Sequence, residues 1–316
     1  MDSTTLSWVS FIVIVIFLLS FDLGILHKEN REIGIKESLY TSLAYIIIGL
    51  LFGAWIWVQQ GPQKGAEYLT GFAVEKSLAL DNIFVISLIF TYFAIPRKYQ
   101  YKILFWGIIG VIVLRGVMIG LGATLISNFT WVLYIFAAFL IYTGVKMFFI
   151  VNHLPDIKSN AILRFIRLHF NVTNEIHGPE FFVRIDNKWY MTPLFLALIL
   201  VECMDLVFAV DSVPAIFAIT TDTYIVYTSN IFAILGLRAL YFALDALIVR
   251  FKYLKYALAV LLIFIGSKIF IAELLNIAKF PPLLALSITF LILATGIVYS
   301  MYKTRKSLAV EEPKGR

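Results

Sequence analysis

The chain has 316 residues, of which 61% are hydrophobic and 15% are charged, and its mean hydropathy is +0.90. Several apolar runs approach 20 residues, too long for all of them to be core helices of a soluble protein, so the composition predicts a polytopic membrane protein. The net charge of +6 could indicate nucleic-acid binding, but the positions of the cations are explained by membrane topology, and we expect no nucleic-acid partner.

Apolar runs bounded by polar loops predict an all-α fold with about nine transmembrane helices. The predicted spans cover residues 6–26, 39–59, 67–94, 102–125, 130–150, 191–219, 224–249, 254–275 and 282–302. The first residues, MDSTTLSW, contain no Lys or Arg and therefore lack the basic start of a cleaved signal peptide. We expect the first span to be retained.

Lys and Arg fall on alternate loops of this predicted topology. The loops after the first, third, fifth and seventh spans and the C-terminal tail carry 19 of them, whereas the opposite side carries only Lys64 and Lys279. Because cytoplasmic loops are enriched in cations, the pattern places the N-terminus outside and the C-terminus in the cytoplasm. The lipid bilayer is thus a predicted partner, and a homo-oligomer is compatible with the sequence.

The stretch VECMDLVFAVDSVPAIFAIT (201–220) places Glu202, Asp205 and Asp211 inside an apolar run. A charged side chain at the bilayer centre costs roughly 2.5–3.5 kcal/mol, so such residues normally face a bundle interior and mark an ion or proton path. These three carboxylates are therefore the first functional candidates.

A related pattern occurs upstream in VEKSLALDNIFVI, where Glu75 and Asp81 are six residues apart, as Asp205 and Asp211 are. Further landmarks follow in the same order in both halves, and the matched pairs are Asn82 with Ser212, Arg115 with Arg238, and Lys146 with Lys268. The two sets of three spans are displaced by an odd number of spans, so they would cross the membrane in opposite directions. The sequence therefore predicts a three-plus-three inverted repeat, an organisation common in secondary transporters.

This organisation divides the chain into five segments. They are an N-terminal two-helix addition (1–66), the first repeat (67–150), a cytoplasmic linker (151–190), the second repeat (191–275), and the last span with a basic tail (276–316).

Two elements are predicted inside the cytoplasmic linker. SNAILRFIRLHF (159–170) puts Ile162, Phe165, Ile166 and His169 at helical spacing, which favours an amphipathic helix along the membrane surface. EFFVRIDNKWYMT predicts a hairpin that turns at the Asp-Asn pair 186–187. A plain surface linker and a regulatory segment are both open interpretations.

Helical geometry constrains the acidic motifs, because positions seven apart share a helix face while positions six apart diverge by about 120°. Glu75 should therefore lie on the same helix face as Asn82, and Asp205 on the same face as Ser212. Asp81 and Asp211 point elsewhere unless the helix is distorted. Pro214 removes the hydrogen bond to the carbonyl of residue 210, which favours a break beside Asp211.

The ligand types suit a hard divalent cation such as Mg²⁺, Ca²⁺ or Mn²⁺. The candidate ligands are Glu75, Asp81, Asn82, Glu202, Asp205, Asp211 and Ser212, with Asp22 as a further ligand or gate. Cys203 and Met204 could add one soft contact that favours Mn²⁺ over Mg²⁺, although ordinary packing explains them equally simply. We also expect Asp81 and Asp211 to lie close together around the pseudo-two-fold axis of the repeat.

Five cations lie within the predicted spans, and each should meet an acid or a carbonyl because an unpaired buried charge is too costly. They are Lys76, Arg115, Lys146, Arg238 and Lys268. An alternative interpretation of the acidic motifs follows, in which the carboxylates pair with these cations only to hold the bundle together.

FDLGILHKEN, EKSLALDNIFV, VECMDLVFAVDSVPAIFAIT and TSNIFAILGLRALYFAL resemble the TerC family of integral membrane proteins, including its Alx branch, over about residues 21–271. The family is similar to the wider LysE group of exporters. The resemblance implies manganese(II) export and metal-ion homeostasis in a bacterial inner membrane, with the acids above as ion-handling positions. Manganese would then be the transported substrate, and no phosphate loop, HExxH or CxxC motif predicts an enzyme or an organic cofactor.

Two other functions are open at this point. The substrate could be an anion or small solute held by Arg115 and Arg238, as tellurium resistance would suggest, or the protein could be a non-transporting assembly partner of other membrane proteins.

For cation export, crowded carboxylates cannot all ionise cheaply without a bound cation. One of them should therefore carry a proton that the metal displaces, which predicts metal/proton exchange.

Overall fold

The computed structural model describes residues 3–21, 35–129, 131–149, 161–244, 254–277 and 280–311, and these are mostly helical. The elements are α1 (Ser3–Phe21), α2 (Ile35–Gln60), α3 (Pro62–Tyr92), α4 (Arg97–Asn128), α5 (Val132–Phe149), α6 (Ala161–His169), β1 (Phe182–Ile185), β2 (Lys188–Met191), α7 (Pro193–Ile219), α8 (Thr223–Leu235), α9 (Leu237–Leu244), α10 (Leu254–Leu274) and α11 (Pro282–Glu311).

Six helical stretches in the described part of the chain are long and apolar enough to cross a membrane: α2, α4, α7, α8 together with α9, α10 and α11. Shorter apolar stretches lie in α1 (Thr5–Phe21) and α5 (Val132–Phe148). The helix α3 has 31 residues, but Glu75, Lys76 and Asp81 interrupt its apolar character. A membrane protein built of helices is therefore confirmed, while the count of nine crossings stays a prediction.

The helices α2 and α3 form a close hairpin through Gly61, whose φ of 93° is one that other residues rarely adopt. Gly49 and Gly53 of α2 let the two backbones approach, because a Cβ at Gly49 would lie 2.6 Å from the Phe72 ring. The Tyr68 hydroxyl donates a hydrogen bond across this contact to the carbonyl oxygen of Gly49, at 3.1 Å. Small residues thus position α3 against α2.

The central helices pack mainly across the two halves of the chain. The helix α3 packs on α8, α4 packs on α7, and α5 packs on α10. The helices that follow each other across short links, α4 with α5 and α7 with α8, contact each other less. The physical reason is a polar cluster, described below, that joins α4 to α7 and α3 to α8.

The crossing of α5 and α10 is symmetric. A Cβ at Gly144 of α5 would lie 2.7 Å from the carbonyl oxygen of Ala259, and a Cβ at Gly266 of α10 would lie 2.5 Å from that of Ala137. The two glycines are 122 positions apart in the sequence, and so are the two alanines. Matched residues of the two halves therefore make the same backbone contact in exchanged roles.

The predicted hairpin is confirmed, while its cytoplasmic location stays a prediction. The strands β1 and β2 pair antiparallel with Ile185 opposite Lys188. Between them Asp186 and Asn187 have φ values of 46° and 64°, and residues with positive φ at both central positions form the two-residue turn that suits a hairpin.

The predicted amphipathic helix is confirmed as α6, but its buried face differs from the predicted one. Leu163 and Ile166 are buried against the C-terminal end of α3 and the N-terminal ends of α4 and α7, whereas the Phe165 side chain is 56% exposed. The contact with α7 selects this face, and Ile162 lies outside the described side chains.

The symmetric crossing predicts that Gly144→Ala and Gly266→Ala each lower the free energy of unfolding by about 1–3 kcal/mol, because the added methyl group overlaps a backbone carbonyl. Gly120→Ala in α4 is the matched control, since nothing lies within 4 Å of its Cβ position. Thermal unfolding of the purified protein in detergent checks this. Equal midpoints for the three variants would contradict the close crossing.

Candidate functional site

The centre of the bundle holds one fully buried guanidinium group, that of Arg115 on α4, which is 1% exposed. Four helices surround it, and α3, α7 and α8 each supply polar acceptors. Arginine presents five donors in a rigid fork, so a buried Arg needs several acceptors in fixed positions.

Two carboxylates bind Arg115. Nη1 donates to Glu75 Oε1 at 2.5 Å, while Nε and Nη2 donate to the two oxygens of Asp205 at 3.1 and 3.0 Å. The pairing with Asp205 is bidentate, which is the strongest geometry for this ion pair. Arg115 therefore meets an acid, as predicted for the buried cations, and both Glu75 and Asp205 pair with it.

Two neutral oxygens complete the arrangement. Arg115 Nη1 lies 2.8 Å from Ser212 Oγ and 3.2 Å from Asn230 Oδ1. Asp205 and Ser212 thus bind the same group, which confirms that these two positions share one face of α7. The helix α7 is continuous through Pro214, so the predicted break is wrong. Its neighbours maintain the helix although the proline removes one hydrogen bond.

Asn230 is a site residue that the sequence analysis missed. Its side chain is fully buried, and its Nδ2 donates to Glu75 Oε2 at 3.2 Å while its Oδ1 accepts from Arg115. The available signal was an amide within the apolar run TSNIFAIL, seven positions before the Leu-Arg pair. That signal was not used because Asn230 has no counterpart among the matched landmarks.

A small cavity of about 30 Å³ borders the cluster. Polar residues in its wall include Asn82, Asp205 and Arg238, and Met204 also lines it. This space is enough to hold a water molecule or a desolvated ion. Met204 is thus placed where a soft contact could be made, whereas no contact of Cys203 with this cavity is found.

Glu202 lies one turn from Asp205 against α4. Both of its carboxylate oxygens are buried and lack a hydrogen-bond partner among the described residues. A Cβ at Gly110 would lie 2.5 Å from the carboxyl carbon of Glu202, so only glycine leaves room for it there. The fold therefore places a third carboxyl beside the Arg115 cluster without neutralising it.

The remaining candidates are only partly described. The backbones of α3 and α7 are described at Asp81 and Asp211, but their side chains lie outside the described part, as does Asp22 altogether. Their predicted proximity and ligand roles stay predictions. Among the side chains that the structure does describe, no three His, Cys, Asp or Glu residues meet as a metal-ligand group.

The other predicted intramembrane cations have varied surroundings. Lys76 Nζ donates to the carbonyl oxygen of Ala233 at 2.9 Å, as expected. The Arg238 guanidinium lies 4.2 Å from the ring centroid of Tyr101. Lys268 is buried. Lys146 is exposed in the last turn of α5 and lies 5.8 Å from the Tyr142 ring, and no acid partner is found for it among the described residues.

The buried ion pairs predict a large stability loss for Arg115→Met, about 3–5 kcal/mol, because Glu75 and Asp205 would be left buried without their cation. Glu75→Gln added to Arg115→Met should recover part of this loss. The exposed pair of Lys64 with Asp222, at 2.7 Å, supplies the control, and Lys64→Met should cost less than about 1 kcal/mol. Thermal unfolding separates these outcomes, and similar losses for Arg115→Met and Lys64→Met would contradict a dominant buried cluster.

Comparison with known proteins places the chain in a family. The model of the integral membrane protein TerC family matches residues 60–308. A membrane protein of Rickettsia bellii is 51% identical over 298 residues, which cover 94% of this chain and 98% of that relative. An Escherichia coli protein that bears the name membrane-bound redox modulator Alx is 44% identical over 308 residues, 95% of each chain. A Salmonella typhi protein with the same name is 42% identical with the same coverage.

No solved structure matches the chain. The family match and the near full-length relatives, which are named as membrane proteins, agree with the membrane helices. The chain is a member of the TerC family of integral membrane proteins.

Proposed function

We propose that this chain exports divalent metal cations, manganese(II) foremost, by secondary transport across the bacterial inner membrane. The observation that carries the proposal is the buried oxygen-rich cluster of Glu75, Asp205, Ser212 and Asn230. Carboxylate, hydroxyl and amide oxygens are ligands that hard divalent cations prefer. Intramembrane acids in a bundle interior are typical of ion pathways.

The charge of the cluster supports a cationic substrate. Arg115 supplies one positive charge against the two carboxylates of Glu75 and Asp205, and Glu202 adds a third carboxyl with no described partner. Arg238 adds a second cation in the wall of the neighbouring cavity, so the three carboxyls outnumber these two cations. An excess of buried negative charge is costly, so a proton or a metal cation should compensate for it. A transported cation would bind where this excess lies.

The inverted repeat is part of the proposal. The exchanged contacts of Gly144 and Gly266 at the α5–α10 crossing, and the matched pairings of α3 with α8 and α4 with α7, support it. In such repeats the substrate site lies at the interface of the two halves near the midplane. The Arg115 cluster also lies between the two halves, because Arg115 and Glu75 come from the first half and Asp205, Ser212 and Asn230 from the second.

Packed apolar side chains lie on both sides of the Arg115 cluster along the helices. Because they block the path to either side of the membrane, transport requires that each side opens in turn. One side is packed by residues such as Ile83, Leu104 and Leu200, and the other by residues such as Ile119, Val213 and Phe217. With the N-terminus outside and the C-terminus in the cytoplasm, the first cluster is the inner barrier. A cavity of about 480 Å³ bordered by Lys268 and Glu273 then lies beyond the outer barrier, as an exit vestibule.

A second candidate is the export of an anion or small solute. Arg238 borders the same cavity as Asp205, so one cationic group faces it. Two of the relatives are named as redox modulators, which would suggest a role in redox chemistry. This chain has a single cysteine, Cys203, and cannot form an intramolecular dithiol couple. Cellular manganese content with and without the gene separates the candidates, since only cation export predicts that the gene lowers it.

Asp211→Asn should reduce Mn²⁺ export about tenfold or more, which is about 1.4 kcal/mol in transition-state or binding free energy, while folding is kept. The change preserves volume but removes a negative charge from the proposed cation path. Asp222→Asn is the matched control, because Asp222 caps α8 through Tyr224 N and asparagine caps equally well. Mn²⁺ flux in proteoliposomes is the measurement, with protein yield recorded alongside. Loss of folded protein instead of flux would favour a structural role for Asp211.

We further propose that the metal exchanges for protons. Metal binding requires deprotonated ligands, so a carboxyl that carries a proton in the empty site releases it when Mn²⁺ binds. Lumenal pH in proteoliposomes should therefore change during Mn²⁺ flux, and an imposed pH gradient should drive uptake. Flux that neither moves protons nor responds to the gradient would indicate a uniporter.

A further inference from the structure

The guanidinium of Arg115 occupies the oxygen set that a divalent cation would need. Its five hydrogen bonds reach Glu75, both oxygens of Asp205, Ser212 and Asn230. Two carboxylates, a hydroxyl and an amide are the ligand types of a hard-cation site, yet here a side-chain cation binds all of them.

We propose that Arg115 is a tethered competitor of the substrate: it fills the cation site when no metal is bound, and the metal displaces it from Asp205. This inference rests on the proposed export of divalent cations. Both oxygens of Asp205 are engaged by Arg115, so a metal at this carboxylate must take at least one of them. Repulsion between the metal and the guanidinium then favours withdrawal of Arg115.

The neighbouring cavity gives the metal a place to begin this displacement. It touches Asp205 and also has Asn82 and Met204 in its wall, while Glu202 lies one turn away on α7. A cation that enters this cavity can therefore reach the Asp205 carboxylate. Glu75 can keep its bond to Arg115 while Asp205 turns to the metal.

The competition also links binding to movement. Arg115 lies in the first half of the chain and binds Asp205, Ser212 and Asn230 in the second half. Its bonds hold the two proposed repeats together in the empty protein. When a metal displaces Arg115, or when the exchanged protons neutralise its carboxylate partners, these bonds weaken. The halves can therefore move with metal or protons bound, and leakage through the carrier that holds neither is suppressed.

The test measures Mn²⁺ affinity of the full-length protein in nanodiscs, with free Mn²⁺ quantified by electron paramagnetic resonance. Since Arg115→Ala alone is expected to fold poorly, the comparison is made in a background that lacks one of the two carboxylates paired with Arg115. Glu75→Gln alone is compared with Glu75→Gln plus Arg115→Ala. The competitor model predicts at least about tenfold tighter Mn²⁺ binding in the double variant, because Asp205 is then free.

Two further arms separate displacement from a general effect of charge. Arg115→Lys keeps the positive charge but cannot form the bidentate pair with Asp205, so Mn²⁺ should bind more tightly than to the wild type. Free guanidinium at low millimolar concentration should compete with Mn²⁺ in the double variant and leave the wild type unaffected. Arg184→Gln on the exposed face of β1 is the control, with unchanged affinity expected.

The outcomes distinguish this inference from the proposed function. Wild-type Mn²⁺ transport with equal or weaker Mn²⁺ binding after removal of Arg115, and no effect of guanidinium, would overturn the competitor model alone. Tighter binding in the double variant with guanidinium competition supports it. Absence of Mn²⁺ binding in the wild type and in every folded variant would overturn both proposals.

Discussion

A guanidinium buried between two carboxylates is the constraint on which the centre of this bundle depends. Removing three charged groups from water is expensive, and their mutual attraction compensates only when geometry is good and the remaining donors are satisfied. Arg115 meets both conditions through the bidentate pair with Asp205, the bond to Glu75, and the neutral acceptors Ser212 and Asn230. Four helices must therefore meet at one point.

The arrangement of the other helices is consistent with that meeting point. The helices α3 and α4 from the first half contact α8 and α7 from the second, and α5 crosses α10 where glycines permit backbone contact. In a membrane, small residues and polar contacts drive helix association, because lipid is as apolar as leucine. Glycine crossings and one polar cluster thus supply the specificity that apolar side chains alone would not.

The site combines stability with an incomplete charge balance. Two carboxylates share one guanidinium, and the Glu202 carboxyl has no partner among the described residues. A bundle built only for stability would gain from replacing such groups with apolar ones, since buried ion pairs contribute little net free energy. Their presence beside a small cavity agrees with the proposed cation carrier, in which the same oxygens would bind an ion and release it.

The sequence by itself determined the membrane class, most helix positions and the two-residue turn of the hairpin, because hydropathy and turn chemistry are local properties. It also indicated Glu75, Asp205 and Arg115 as buried polar residues, because a charge within an apolar run is costly unless it is paired. Only the tertiary structure decided which acids pair with which cation, since Asp205 is 90 positions from Arg115 and two arginines were available. The role of Asn230 and the inward face of α6 also depend on neighbouring helices. Pro214 shows the same limit, because its local tendency to break a helix was overcome by packing that the sequence does not reveal.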